Sequence, residues 1–113
     1  MGTMFQKKEG VGVVTVSGTL TAVGVDSFRE QFAGWWQSAP EIRNVVVDLG
    51  GVDFLDSSGL GAIIALLKRV SERGGDMKIA RLQKKVRMVF EITRAYKVFD
   101  IFDSVEEALT VCG

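Results

Sequence analysis

The stretch VDFLDSSGLGAIIALL, from Val52 to Leu67, sets two adjacent serines between an aspartate and a glycine, ahead of an apolar run with helical spacing. Ser57 and Ser58 are therefore small hydroxyls at the predicted mouth of a helix. Several chemistries fit that pattern. Asp56 or Ser57 can cap the helix, a contact worth about 1 kcal/mol, and Gly59 can simply permit close packing. One capping residue meets that need and leaves the other hydroxyl without a task. A serine at a helix N-terminus can also carry phosphate, because the free N–H groups and partial positive charge there tolerate an anion. Phosphorylation adds about −1.5 to −2 charge near pH 7, here beside Asp56 and near Asp53. Such a charge can repel a docking partner without unfolding the domain.

A catalytic serine fits less well. The chain has no histidine, so the usual base for an activated hydroxyl is missing. DSSGLG matches the G-x-S-x-G elbow only loosely, since glycine does not stand two places before either serine. No S-x-x-K spacing occurs at Ser57 or Ser58. GGVDFLDSSG lacks the G-K-[ST] ending of a phosphate-binding loop, so any kinase acting here is a different protein. Asp48, Asp53 and Asp56 form a conceivable Mg²⁺ group, with Asp48 read as an ordinary loop or sheet-end residue.

The elements that position these residues follow from periodicity. TMFQKK (3–8) and the Val-rich 11–18 read as strands joined by a Glu9-Gly10 hairpin turn. VDSFREQFAGWWQ (25–37) reads as a helix capped by Asp26 or Ser27, with Phe28, Phe32 and Trp35 on one face. Residues 43–49 form a continuous apolar run, the pattern of a buried parallel strand. A loop GGVDFLDSSG should follow. Leu60, Ile63, Ile64, Leu67 and Val70 predict a helix from about Ser58 to Arg73, stopped by Gly74-Gly75. A strand at 77–82 and a third helix around Val86, Val89, Phe90 and Thr93 come next, with Lys84, Lys85 and Arg87 on its wet side. A short strand or turn at 98–102 precedes a last helix, 104–112, opened by a capping box from Ser104 to Glu107. This alternation implies an α/β fold with a mixed, largely parallel sheet, whose functional groups gather beyond the strand C-termini. The serine pair lies at such a place.

Composition narrows the partners. The 113 residues make one domain the natural expectation, with 47% hydrophobic and 25% charged residues. Fourteen basic and fourteen acidic residues balance to zero, which gives no global attraction to nucleic acid or to an anionic membrane. The basic residues of RLQKKVRMVFEITR read as a solvated helix face, since nucleic-acid binding needs a broader patch. Cys112 is the single cysteine and cannot form an internal disulfide, which fits a reducing cytoplasm. No apolar run reaches the roughly 18 residues of a spanning helix, and the N-terminus shows no signal-peptide core. Met1 to Thr3, ahead of a second methionine at Met4, read as an appended remnant.

The segment VVVDLGGVDFLDSSGLGAIIALLKRVSERGGDMKIARL, with VFDIFDSVEEAL, resembles the STAS domains of bacterial anti-sigma factor antagonists, from about Gly10 to Leu109. The resemblance implies a small sheet of four to five strands with about four helices, packed mainly on one side. It also implies a partner: an anti-sigma factor that is a GHKL-type serine kinase, bound so that a sigma factor is released. That kinase would phosphorylate the second motif serine, Ser58, and a phosphatase would restore it. Asp56, Ser57 and Gly59 are the motif neighbours. No cofactor is implied. Thr21, Val23, Asp53, Phe54 and Leu55 are the expected partner-binding residues, with 23–28 framing one side. Two positions depart from the family pattern. Thr21, in GTLT, stands where the family has an acid, and Arg94, in ITRAY, stands where it has glycine. STAS domains also serve stressosomes, phosphatase cascades, lipid-transport complexes and anion-transporter tails, which remain alternatives, as does nucleotide binding.

Overall fold

A computed structural model describes residues 2–112. Met1, Gly113 and the Cys112 side chain, on which the remnant and thiol readings partly fall, lie outside the described residues. Five strands form one sheet in sequential order: β1 (Gly2–Lys8), β2 (Val11–Leu20), β3 (Val45–Leu55), β4 (Met77–Ala80) and β5 (Asp100–Phe102). β1 and β2 are antiparallel, from the hairpin at Glu9 and Gly10, which both adopt positive φ. The other neighbours are parallel.

Sequential order fixes where the helices go. Each crossover from one parallel strand to the next is right-handed, and all step the same way across the sheet. Hence α1 (Val25–Ser38), α2 (Ser57–Glu72) and α3 (Lys84–Ile92) share one face. Their residues Phe28, Phe32, Leu66, Val86 and Phe90 pack with Val14, Val47 and Ile79 in the main core. The final helix, α4 (Val105–Cys112), covers the opposite face, where Ala108 meets Val46 and Ala80. The expected capping box is half formed: Ser104 Oγ accepts the Glu107 N–H at 3.1 Å.

Several local expectations are corrected. α1 buries Phe28, Phe32 and Trp36, an i, i+4, i+8 stripe. Trp35 turns aside to stack on Phe5 of β1, with ring centroids 5.0 Å apart. Neither Asp26 nor Ser27 caps α1. The helix begins at Val25 after Gly24, with no side-chain cap, and the Thr21 carbonyl accepts the Val25 N–H at 3.0 Å. Its C-terminal end is held by Arg73, whose guanidinium donates to the carbonyls of Trp36, Ala39 and Ile42 and lies 3.6 Å over the Trp36 ring.

The largest correction concerns β3. It does not stop at Leu49 but runs through Gly50 and Gly51 to Leu55. Both glycines mark close approach within a strand rather than a turn. A Cβ on Gly50 would stand 2.1 Å from the Arg81 guanidinium, and one on Gly51 would stand 2.9 Å from Ser17 Cβ. Asp48 is accordingly inside the strand and buried, where Oδ1 accepts the Gly50 N–H at 2.9 Å and pairs with Arg81 Nε at 3.1 Å.

Candidate functional site

β2 and β3 end side by side, with Thr19 opposite Phe54 and Leu20 opposite Leu55. The chain leaves both strands at one rim of the sheet, so the turn into α1 and the entry to α2 become neighbours. Asp56 fastens them. Its extended backbone makes it the N-cap of α2, and Oδ1 accepts the Gly59 N–H at 2.9 Å. Oδ2 accepts the Ala22 N–H from the other turn at 3.3 Å, while the Asp56 N–H donates to the Leu20 carbonyl at 3.3 Å. Of the two capping candidates, Asp56 therefore holds the post and Ser57 does not.

Gly59 completes the join. A Cβ there would sit 2.2 Å from the Leu20 carbonyl oxygen. No side chain fits, and α2 can enter this close to the end of β2 only through glycine. One turn of helix is thus anchored on both sides of Ser58, by Asp56 and by Gly59. Ser57 is exposed and Ser58 half-buried in the first turn of α2. Neither hydroxyl makes a hydrogen bond among the described residues. The first N–H groups of a helix lack intrahelical acceptors, so Ser58 stands in the positive field of α2.

The structure brings most of the expected residues onto this rim. Val23, 97% exposed, crowns the β2–α1 turn. It belongs to that turn and not to a helix; Val25 and Phe28 beyond it are buried and do not frame the surface. Phe54 is 48% exposed. Exposed Asp53 accepts the Thr19 hydroxyl at 3.1 Å, a second tie between the strands. Leu55 is 1% exposed and belongs to the core, so it is removed from the candidate surface. Thr21 is half-buried, and its backbone carbonyl supports Gly24 and Val25. Sequence reasoning missed Ala22 and Leu20, which contribute only backbone atoms and so leave no side-chain signature.

The aspartates do not form a metal centre. Asp48 is engaged by Arg81, Asp53 by Thr19 and Asp56 by two backbone N–H groups. Among the described residues, no three acidic, histidine or cysteine side chains are grouped as metal ligands. A displaced pKa lies away from the rim, at Lys78 of β4. Burial pulls the Lys78 ammonium's pKa down, but hydrogen bonds and charge from Asp100 and Asp76 outweigh it and hold it above the ordinary lysine range.

Arg94 sits in the left-handed region at φ 60°, at the start of a short 3-10 turn, Ala95–Lys97. That backbone favours glycine, which accounts for the residue type the family pattern has there.

The STAS domain family model matches residues 3–108. The anti-sigma F factor antagonist of Paenibacillus polymyxa is 31% identical over 101 residues, spanning 89% of this chain and 86% of that protein. The crystal structure of an anti-sigma factor antagonist from Mycobacterium paratuberculosis superposes with a TM-score of 0.87 at 23% identity, covering 98% of this chain and 92% of its own. The Bacillus cell fate determinant SpoIIAA in its phosphorylated form gives a TM-score of 0.72 at 16% identity, covering 96% and 97%. These structural likenesses speak to the fold, and the sequence matches carry the lineage. With the D-S-S-G motif at the end of β3, they show that the chain belongs to the STAS-domain family of anti-sigma factor antagonists.

Proposed function

We propose that this protein is a cytoplasmic anti-sigma factor antagonist that works by binding and is switched off by phosphorylation of Ser58. Unmodified, it captures an anti-sigma factor of the GHKL serine-kinase type and so releases a sigma factor. The kinase then phosphorylates Ser58, and a phosphatase reverses the modification. The observation that carries this reading is the mounting of Ser58: half-buried in the first turn of α2, on a rim tied by Asp56 and Gly59 that also carries exposed Val23 and Phe54.

Two effects of a phosphate separate cleanly at this position. Within the domain, the α2 N-terminus faces the added charge and partly offsets it. At the surface, the same charge joins Asp53 and Asp56. Leaving such a charge unpaired in a closed interface costs several kcal/mol. A 10⁴-fold loss of affinity needs about 5.5 kcal/mol, which one phosphate can supply.

The test is incubation with the cognate anti-sigma kinase and ATP, followed by site mapping and a capture assay. Phosphate should appear on Ser58. Ser58→Ala should still capture the kinase and resist modification, and Ser58→Glu should fold but bind poorly. Phosphate on Ser57 instead, or equal capture by the modified and unmodified forms, overturns the assignment.

A further inference from the structure

The outward surface of α3 and the turn after it carries apolar side chains that the core does not use. Val86 and Phe90 face inward and are buried. On the opposite side of the same helix Met88 and Ile92 stand out, 51% and 78% exposed, and Tyr96 and Val98 follow at 48% and 57%. Met88 and Ile92 are one helical turn apart and form a continuous stripe. An outward face normally carries polar residues, so α3 is apolar on both sides.

Cations flank this stripe along the chain. Between residues 84 and 97 stand Lys84, Lys85, Arg87, Arg94 and Lys97, against a single acid, Glu91. Arg87 reaches Asp103 at 3.9 Å, whereas the other four form no ion pair among the described residues. The chain as a whole has zero net charge, so this positive field is local to one segment. Solubility alone calls for neither the apolar stripe nor the one-signed charge around it.

We propose that this face docks reversibly on an anionic lipid bilayer. Met88, Ile92 and Tyr96 enter the boundary between headgroups and acyl chains, and the lysines and arginines meet lipid phosphates. The pattern is that of an interfacial amphipathic element, in which apolar area and cationic charge act together. Long Lys and Arg stems can keep their charges at headgroup level while the stripe sinks between them. Tyr96 suits the same boundary, with an apolar ring and a polar tip. A bilayer accepts protruding side chains without a matching pocket, whereas a protein partner must supply one. No helix among the described residues is long and apolar enough to cross a membrane, so the attachment lies on the surface. It does not depend on the Ser58 switch, which sits at the end of β3.

The experiment is co-sedimentation of the full chain with vesicles of phosphatidylglycerol and phosphatidylcholine, against vesicles of phosphatidylcholine alone. Pelleting should require the anionic lipid and fade at high salt. Lys84→Gln with Lys85→Gln should weaken partitioning about 30-fold, each cation near an anionic surface being worth about fivefold. Ile92→Ser should weaken it about tenfold or more, by removing the apolar area it would bury. These positions are exposed, so the variants keep the fold, and far-UV circular dichroism checks that. Ser58→Glu should partition like the parent, which keeps this outcome separate from that of the kinase assay. Absence of pelleting with anionic vesicles overturns the proposal. So does pelleting that the α3 variants leave unchanged. If Ile92→Ser instead weakens capture of the anti-sigma kinase and no vesicle binding is seen, the face belongs to a protein interface and the lipid reading is wrong.

Discussion

Replacing Asp56 with alanine tests whether one carboxylate holds the rim together. Oδ1 caps α2 through the Gly59 N–H at 2.9 Å, and Oδ2 holds the Ala22 N–H at 3.3 Å. Loss of the N-cap costs about 1 kcal/mol. The second bond is longer and exposed, so it adds about 0.5 kcal/mol, the lower end for a hydrogen bond. The total is about 1.5 kcal/mol. For 113 residues, the unfolding entropy is about 0.24 kcal/mol/K, so Tm should fall by about 6 °C. Asp56→Asn keeps the N-cap but has no second acceptor for the Ala22 N–H, so it should lose only about 0.5 kcal/mol while Ala22 loses protection. Urea unfolding followed by tryptophan fluorescence reads the global loss, since Trp36 is buried. Amide exchange at Ala22 reads the local one. Ala22 should lose protection in the alanine variant while the centres of β2 and β3 keep theirs relative to global stability. If Asp56→Ala matches the parent in both readouts, Asp56 does not couple the two turns and the rim is held some other way.

Three further predictions concern contacts away from the rim. Arg73→Ala removes three charge-assisted hydrogen bonds to the end of α1 and the stacking on Trp36; it should cost about 3 kcal/mol, and Arg73→Lys should recover less than half, since a point charge cannot reproduce the fork. A loss below about 1 kcal/mol in thermal unfolding refutes that account. Arg94→Gly should be more stable than Arg94→Ala by about 0.5 to 1 kcal/mol, because glycine alone occupies the left-handed backbone without strain; equal Tm values contradict it. Lys78 has a raised pKa in the folded state, so its contribution is fully present below the unfolded value of about 10.4 and is lost as pH rises through the folded one. The stability difference between parent and Lys78→Met should therefore shrink above that pH, and a difference independent of alkaline pH rejects the assignment.

The fold was legible where apolar periodicity decided it. The i, i+3, i+4 pattern of α2 and the valine-rich β2 and β3 correspond to elements at nearly the expected places. Alternation of strands with helices was enough for the sheet, because right-handed crossovers leave little choice of face. Glycine was misleading at 50 and 51. The pair reads as punctuation, but it is a seat for Arg81 and Ser17 inside a strand. That seat depends on a residue 31 positions later, Arg81, held at a positive φ of 60°, and no local pattern announces it. Trp35 and Trp36 were ambiguous for a related reason. Which of them reaches the core depends on Phe5, on a strand whose pairing the helix cannot encode alone. The serine motif pointed to the candidate site, but its surface needed the irregular end of β3, where a register shift leaves Asp53 and Phe54 both exposed before Leu55 turns inward.

The switch proposed at Ser58 rests on the same separation of rim from core. Leu55, Leu20 and Leu60 are in the core directly beneath the rim. The Asp56 carboxylate and the close approach at Gly59 fix α2 to the end of β2. The exposed residues of the same rim are Asp53, Val23 and Phe54. In the proposed switch, anchors that point inward serve stability and the half-buried hydroxyl at the rim serves recognition. A motif in which aspartate ties, glycine admits and serine presents thus has a separate physical reason for each residue, and substitutions at the three should fail in three different ways: Asp56 in local protection, Gly59 in folding, and Ser58 in capture of the partner.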